Sequence, residues 1–182
     1  MHKITLAFLL IGLHFTSFSK NLPEMLIGKA DISPGITFVF EGAIKDDVTP
    51  PNIFLLESST DIHLEVLANW NDEAPRGSIE GGFIAYLDIT AIILNQRTNE
   101  SSKVFLLPHL NMSDNFHYAR NIKLPGNRED LYTIIFFIEP PDINGIGLHY
   151  DWREEVGERI IEPKEFTFID LNFLDIAQAT RR

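Results

Sequence analysis

The stretch "GNREDLYTIIFFI", residues 126–138, opens on turn-forming and acidic residues and then runs into eight that are β-branched, aromatic or aliphatic. That composition belongs to a strand with packing on it, entered through a tight turn. Tyr132 stands near the start of the apolar run, just after the acidic turn. This is where a tyrosine corner sits in an immunoglobulin-like sandwich, and it is equally the place of an ordinary strand aromatic. Outward from it the same pattern recurs. Strand-like runs cover residues 36–40, 53–57, 62–68, 83–94, 104–107 and 166–173. Turn-prone clusters precede them, among them "ISPG", "VTPPN" and "PRGSIEGG". Helical periodicity is scarce. Short strands at this spacing over about 160 residues predict an all-β chain, an immunoglobulin-like antiparallel β-sandwich. Residues 20–182 read as one domain, with no repeat or linker. The polar stretch "NQRTNESSK" (residues 95–103) reads as an exposed hairpin loop, and the terminal "DIAQATRR" as a short ordered end or a frayed tail.

The first nineteen residues have a different character. Lys3 precedes an apolar run from Ile4 to Phe15, and small residues follow at Ser17 and Ser19. This is the pattern of a secretory signal peptide cleaved after Ser19. The apolar run is shorter than the roughly 20 residues a spanning helix needs. The chain has no cysteine, so neither disulfides nor a lipid on an N-terminal cysteine are available to it. Without the leader, 14 basic residues face 26 acidic ones, a net charge near −12. Such a surface disfavours nucleic acid and anionic membranes as partners.

Residues with metal-binding chemistry recur in three places. In "IHLEVLAN" (residues 62–69) alternate side chains of a strand share a face, so His63, Glu65, Leu67 and Asn69 project together while Leu64, Val66 and Ala68 face the core. A His-x-Glu pair alone is also what a hydrogen-bonded surface pair looks like. "SDNFHYARN" (residues 113–121) places Asp114 three residues before His117. In "GIGLHYDW", His149 follows Gly145 and Gly147 and precedes Asp151. The remaining histidine beyond the leader is His109. Three imidazoles and a carboxylate suit Cu(II), Zn(II), Fe(II) or Ni(II), with copper first in affinity, while a methionine sulfur favours Cu(I). Imidazoles bind metal as neutral bases, so binding should fade below about pH 6.

Taken together, these segments resemble the periplasmic ferrous-iron transport protein family. "DIHLEVLAN" is similar to the family's His-Leu-Glu-Ala-Asp-Ile-His strand, and "GGFIAYLDITAII" to its Gly-x-(Trp/Phe)-Ile-Pro-Tyr-Leu strand. "SDNFHYARNIKLPG" resembles its Asp-Gly-Pro-His-Tyr-Gly-x-Asn-x-Lys-Leu segment. "LYTIIFFIEPP" and "LHYDWREEVG" resemble its two later motifs, in the same order, from about Gly28 to Phe173. The resemblance implies a homodimeric sandwich with a copper site near the interface, associated with iron binding beside an inner-membrane iron permease. It carries a metal role to His63, Glu65, His117 and His149, with Asp114 at the family's aspartate. Asp114 and Asp151 suit the orienting of histidine N–H groups better than ligation. The family's methionine falls at Leu110, with His109 and Met112 both close enough to replace it, and its further Asp and His fall at Leu67 and Asn69. Weaker retention of Cu(I) is expected unless His109 or Met112 compensates.

The expected function is therefore a periplasmic metal-binding protein, holding copper and/or ferrous iron with zinc as a surrogate, that assists iron uptake without catalytic turnover. The alternative is an exported β-sandwich interaction module whose metal site has decayed. No Gly-x-Ser-x-Gly, phosphate-cradling loop or His-Glu-x-x-His is present. A metal-dependent oxidation of Fe(II) or Cu(I) is the one catalytic reading left open.

Overall fold

The structure is a computed structural model and describes residues 24–181. The signal peptide expected over residues 1–19 lies outside the described residues. Eight strands follow in chain order: β1 (Glu24–Ile32), β2 (Ile36–Ala43), β3 (Ile62–Trp70), β4 (Asp88–Asn95), β5 (Ser101–Leu110), β6 (Phe116–Ile122), β7 (Leu131–Glu139) and β8 (Lys164–Asn172). Two short helices, α1 (Tyr150–Glu155) and α2 (Leu174–Gln178), flank β8. All pairings are antiparallel, in the spatial order β1-β2-β3-β6-β5-β4-β7-β8.

The ribbon folds into two layers at β5. Its first half pairs with β4, from Ser101 opposite Leu94 to Leu106 opposite Ile89. Its second half pairs with β6, from Leu107 opposite Ala119 to Leu110 opposite Phe116. One layer is thus β1-β2-β3-β6 with the end of β5, and the other is β4-β7-β8 with its beginning. The inner faces alternate as period-two patterning requires. Phe38, Phe40, Leu64 and Val66 of the first layer meet Ile89, Ala91, Ile134 and Phe136 of the second in one buried core. The rings of Phe40 and Phe136 lie 4.7 Å apart across it. Where β1 approaches β8, a Cβ at Gly28 would sit 2.1 Å from the Phe168 ring, so only glycine admits this contact.

Tyr132 completes a tyrosine corner. Its hydroxyl is buried, donates to the carbonyl of Asn127 at 2.8 Å, and accepts from Asn95 Nδ2 at 3.3 Å. The hydrogen bond back to the turn that precedes its own strand is the immunoglobulin-like feature, one of the two readings open for this position.

Two expected strands differ. Residues 53–57 form a loop ending in a single 3-10 turn at Glu57–Ser59. Both edges of β3 are already occupied, by β2 and β6, so this segment has no sheet to join and folds over the outer face instead. The run 83–94 is broken by Tyr86, whose φ of 67° is left-handed. Phe83 bridges to Asn69 on the first layer, and the chain then crosses to become β4 on the second. The Tyr118 hydroxyl clamps the crossing, donating to Ile84 O at 2.7 Å and accepting the Leu87 N–H at 2.9 Å. Residues 95–103 do form the β4–β5 hairpin end, with Asn95 closing β4, a loop over residues 96–100, and Ser101, Ser102 and Lys103 opening β5. The strands β1 and β6 were not anticipated.

Replacing Tyr132 by Phe removes the corner hydrogen bond and leaves the Asn127 carbonyl with the Asp130 N–H alone. A loss of about 0.5–1.5 kcal/mol is expected in urea unfolding of the metal-free protein. An unchanged midpoint would show that the corner is not a stabilising contact.

Candidate metal centre

His63 and Glu65 point away from the core, as alternation along β3 dictates, yet both are buried, at 4% and 3% exposure. The long loop after β2 covers them. Asn121 of β6 holds that loop, donating through Nδ2 to the carbonyls of Asp46 and Leu55, each at 2.8 Å. Arg120 adds a bond from Nη2 to Ile53 O at 2.8 Å, and its guanidinium lies 5.2 Å from the Phe54 ring centre. From the other side, the C-terminal Arg181 pairs with Asp46 at 3.2 Å, and Lys45 Nζ donates to Ala177 O at 2.7 Å. The terminal "DIAQATRR" is thus an ordered end through Arg181. Between loop and sheet lies a cleft of about 780 Å³.

His63, His117 and His109 converge in this cleft. One ring nitrogen from each lies within 4.8 Å of the others. His63 comes from β3, and His117 from the strand next to it. His109 stands opposite His117 in the β5–β6 register, so the two side chains share a face. Glu65 Oε1 lies 3.5 Å from His63 Nε2 and 4.0 Å from His117 Nε2. The tautomers are set by hydrogen bonds made on the far side of the rings. His63 Nδ1 meets Asn121 Oδ1, an acceptor, at 2.6 Å, and so carries the proton. His117 Nδ1 meets the Asn115 carbonyl at 3.2 Å and does likewise. Both therefore present an unprotonated Nε2 to the cleft. His109 Nε2 and Glu65 Oε2 are buried without a hydrogen-bond partner among the described residues.

The electrostatics follow from burial. Desolvation lowers the His63 imidazole to about 4, outweighing the Asn121 hydrogen bond, and lowers His109 to about 3, with help from the two neighbouring imidazoles. His117 is lowered for the same first reason. Glu65 is pushed up to about 8 by desolvation, then by the charges of Asp114, Glu41 and Glu24. At neutral pH and without a cation the cleft holds neutral imidazoles and a protonated carboxyl group. Buried polar atoms are almost always paired. Two without a hydrogen-bond partner, beside neutral imidazoles, are donor atoms of the kind a cation can take.

The sequence-derived residues divide. His63, Glu65 and His117 come together. His109, considered only as a substitute for methionine, joins them. Leu110 is 65% exposed and only borders the cleft, and Met112 is fully exposed on the following turn and outside its lining. Asp114 lies beside the donors without converging with them. Its carboxylate accepts from Asn111 Nδ2 at 2.8 Å, and it acts on Glu65 through charge. His149 is not brought to the cleft within the chain. It is exposed at the start of α1, and Trp152 of that helix packs against Trp70 at 6.1 Å, at the far end of β3. His63 and Trp70 are seven positions apart on an extended strand, roughly 23 Å. Asn121, which orients His63 and anchors the loop, was not singled out. Its signal was its two-residue spacing from Ala119 on a strand beside His63, visible only once β6 is known.

An outer sheet face that buries two imidazoles and a carboxyl group beside a half-buried third imidazole has a donor set that could hold a metal ion. The chain belongs to the Fe2+ transport protein family, whose model matches residues 21–174. No curated protein matches it. Among solved structures it resembles a copper-bound variant of FetP from uropathogenic Escherichia coli strain F11, with 25% identity, a TM-score of 0.68, and coverage of 81% of this chain and 95% of that one. FetP recombinantly expressed in the periplasm of E. coli matches at 26% identity over the same shares, with a TM-score of 0.68. A copper-bound variant of the protein P19 of Campylobacter jejuni matches at 27% identity, with a TM-score of 0.69 and coverage of 81% of this chain and 96% of that one. The family is one of transport.

Asn121→Ala should cost about 2–3 kcal/mol, because it removes three hydrogen bonds at once. It should also expose the cleft to amide exchange; a variant as stable as the wild type, with unchanged exchange over residues 46–55, would contradict the anchoring role. Glu65→Gln should stabilise the metal-free protein in a pH-dependent way. The folded-state value of Glu65 lies above its unfolded value, so its contribution is full below 4.5 and is lost as pH rises toward 8. The advantage of Gln over Glu should therefore be absent near pH 4 and grow up to pH 8. A difference independent of pH would refute the raised carboxyl.

Proposed function

We propose that this chain is an exported metal-binding protein of ferrous-iron uptake, with copper held by His63, Glu65, His109 and His117 and ferrous iron as cargo of the same region. The observation that carries the reading is the pair of buried unpartnered atoms, Glu65 Oε2 and His109 Nε2, beside two imidazoles with Nε2 free. The donors fit copper: three neutral nitrogens and one carboxylate are a set for which Cu(II) stands highest among the first-row divalent ions, and zinc can stand in. Bound copper supplies a Lewis-acidic, redox-active cation. The chain's part is to hold the imidazoles neutral, to keep the rings turned by Asn121 and the Asn115 carbonyl, and to cover the cleft with the 44–61 loop. The copper-bound FetP and P19 structures and the Fe2+ transport family support this assignment.

The leader pattern of residues 1–19, and a relative expressed in the periplasm, support a periplasmic location. Delivery to an inner-membrane iron permease follows from the family resemblance. A homodimer is the arrangement in which His149 can serve: exposed and far from its own cleft, it could reach only the cleft of a second copy.

Calorimetric titration of the metal-free mature protein with Cu(II), and anaerobically with Fe(II), tests the reading. The His63→Ala, His117→Ala double variant should lose on the order of 100-fold in Cu(II) affinity or more. Because Glu65 holds its proton up to about 8 while His63 and His109 stay neutral down to about 4 and 3, Cu(II) binding at pH 7 should release close to one proton. Affinity should fall about tenfold per pH unit below 8 and more steeply once the imidazoles titrate, all of them lowered from the range of free imidazole. Glu65→Gln should abolish the proton release. Binding as tight in the double variant as in the wild type would leave an exported interaction module with a decayed site.

A further inference from the structure

The cleft offers nitrogen and oxygen donors and no sulfur. The described residues include two methionines: Met112 is fully exposed on the β5–β6 turn, and Met25 packs against the hydrophobic core. Alternation along β5 decides which neighbour enters. His109 is turned inward, opposite His117, and Leu110 is turned out. The His109 ring is seated by the edge of Phe54 at 4.8 Å and lies 5.2 Å from His63 and 5.9 Å from His117. Among the described residues none hydrogen-bonds its buried Nε2.

Resting on the reading of this cleft as a metal site, we propose that His109 makes it a three-imidazole, one-carboxylate centre that selects divalent cations, Cu(II), Zn(II) and Fe(II), against Cu(I). Cuprous ion is soft and is held best by thiolate and thioether sulfur, whereas imidazole and carboxylate favour the divalent ions. The carboxylate of Glu65 adds to this, since its attraction for a cation scales with the charge, and a divalent ion in a buried site gains twice what a monovalent one does. His109 therefore sets the oxidation state that the site retains, and Met112, pointing into solvent, does not.

The test compares the mature wild type with His109→Met, His109→Gln and Met112→Leu. Cu(I) affinity is measured anaerobically by competition with a chromophoric cuprous chelator. Cu(II) affinity is measured by calorimetry, and the nitrogen ligands are counted by electron paramagnetic resonance. His109→Met should shift the ratio of cuprous to cupric affinity by about tenfold or more toward Cu(I), which for a one-electron couple raises the potential by about 59 mV per tenfold. Both His109 variants should lose one nitrogen from the Cu(II) spectrum, and Met112→Leu should match the wild type. If His109→Met is poorly folded by circular dichroism, the nitrogen count of His109→Gln decides alone. The proposal is overturned if the nitrogen count survives loss of His109, if wild type holds Cu(I) as tightly as His109→Met, or if Met112→Leu weakens Cu(I). Failure of the wild type to bind Cu(II) or Zn(II) at all would overturn the metal-site reading itself, and this inference with it.

Discussion

The side-chain amide of Asn121 joins the sheet, the covering loop and the first imidazole in one set of hydrogen bonds. Its two N–H groups go to the carbonyls of Asp46 and Leu55, and its oxygen receives the proton of His63 Nδ1. Without the first two, the loop after β2 loses its amide anchors and keeps on the sheet side the Arg120 bond to Ile53 O and the bond of Asp61 N–H to Ile122 O. Without the third, the His63 ring is free to turn and to exchange tautomers. The orientation of the donor and the dryness of its surroundings thus depend on one residue. This is why outer-shell groups matter nearly as much as ligands in metal sites.

Burial then determines the chemistry. A carboxyl group and three imidazoles on an exposed sheet face would titrate near their ordinary values and hold cations weakly. Covered by the loop, all of them shift toward their neutral forms. For the imidazoles this is the form that binds metal. For Glu65 it is not, so a cation must displace a proton there. Asp114, Glu41 and Glu24 hold the Glu65 proton more firmly through their negative charge, yet the same charge favours any cation that arrives. The acidic character of the chain is therefore not only a property of its solvated surface.

Much of this could be read in the sequence, for identifiable reasons. Period-two alternation set the core face of β3 and placed His63 beside Glu65, and the acidic turn before Tyr132 pointed to the corner that the hydroxyl completes. What alternation could not give is the burial of the outer face, because that depends on a loop whose anchors lie on β6, a strand obscured by its polar residues. Residues 53–57 look like a strand because their composition is apolar, but composition cannot show that β3 already has two neighbours. His109 was hidden by a matter of register: the apolar and imidazole positions are adjacent, and only the β5–β6 pairing tells which of them faces inward. His149 carries a suggestive acidic neighbour, but the direction in which a glycine-containing loop carries a side chain is not written in its local pattern.

The order β3-β6-β5 has a mechanical consequence. His63 and His109 sit on strands that are not neighbours, with His117 on the strand between them. A cation bound by all three is a staple across three strands, and the last of them continues into the opposite layer as the partner of β4. Loading the site therefore fastens the two halves of the sandwich near the point where the ribbon folds over. Because a ligand that binds only the folded chain stabilises it by RT ln(1 + [L]/Kd), resistance to unfolding rises as free cation fills the cleft and becomes a gauge of its loading.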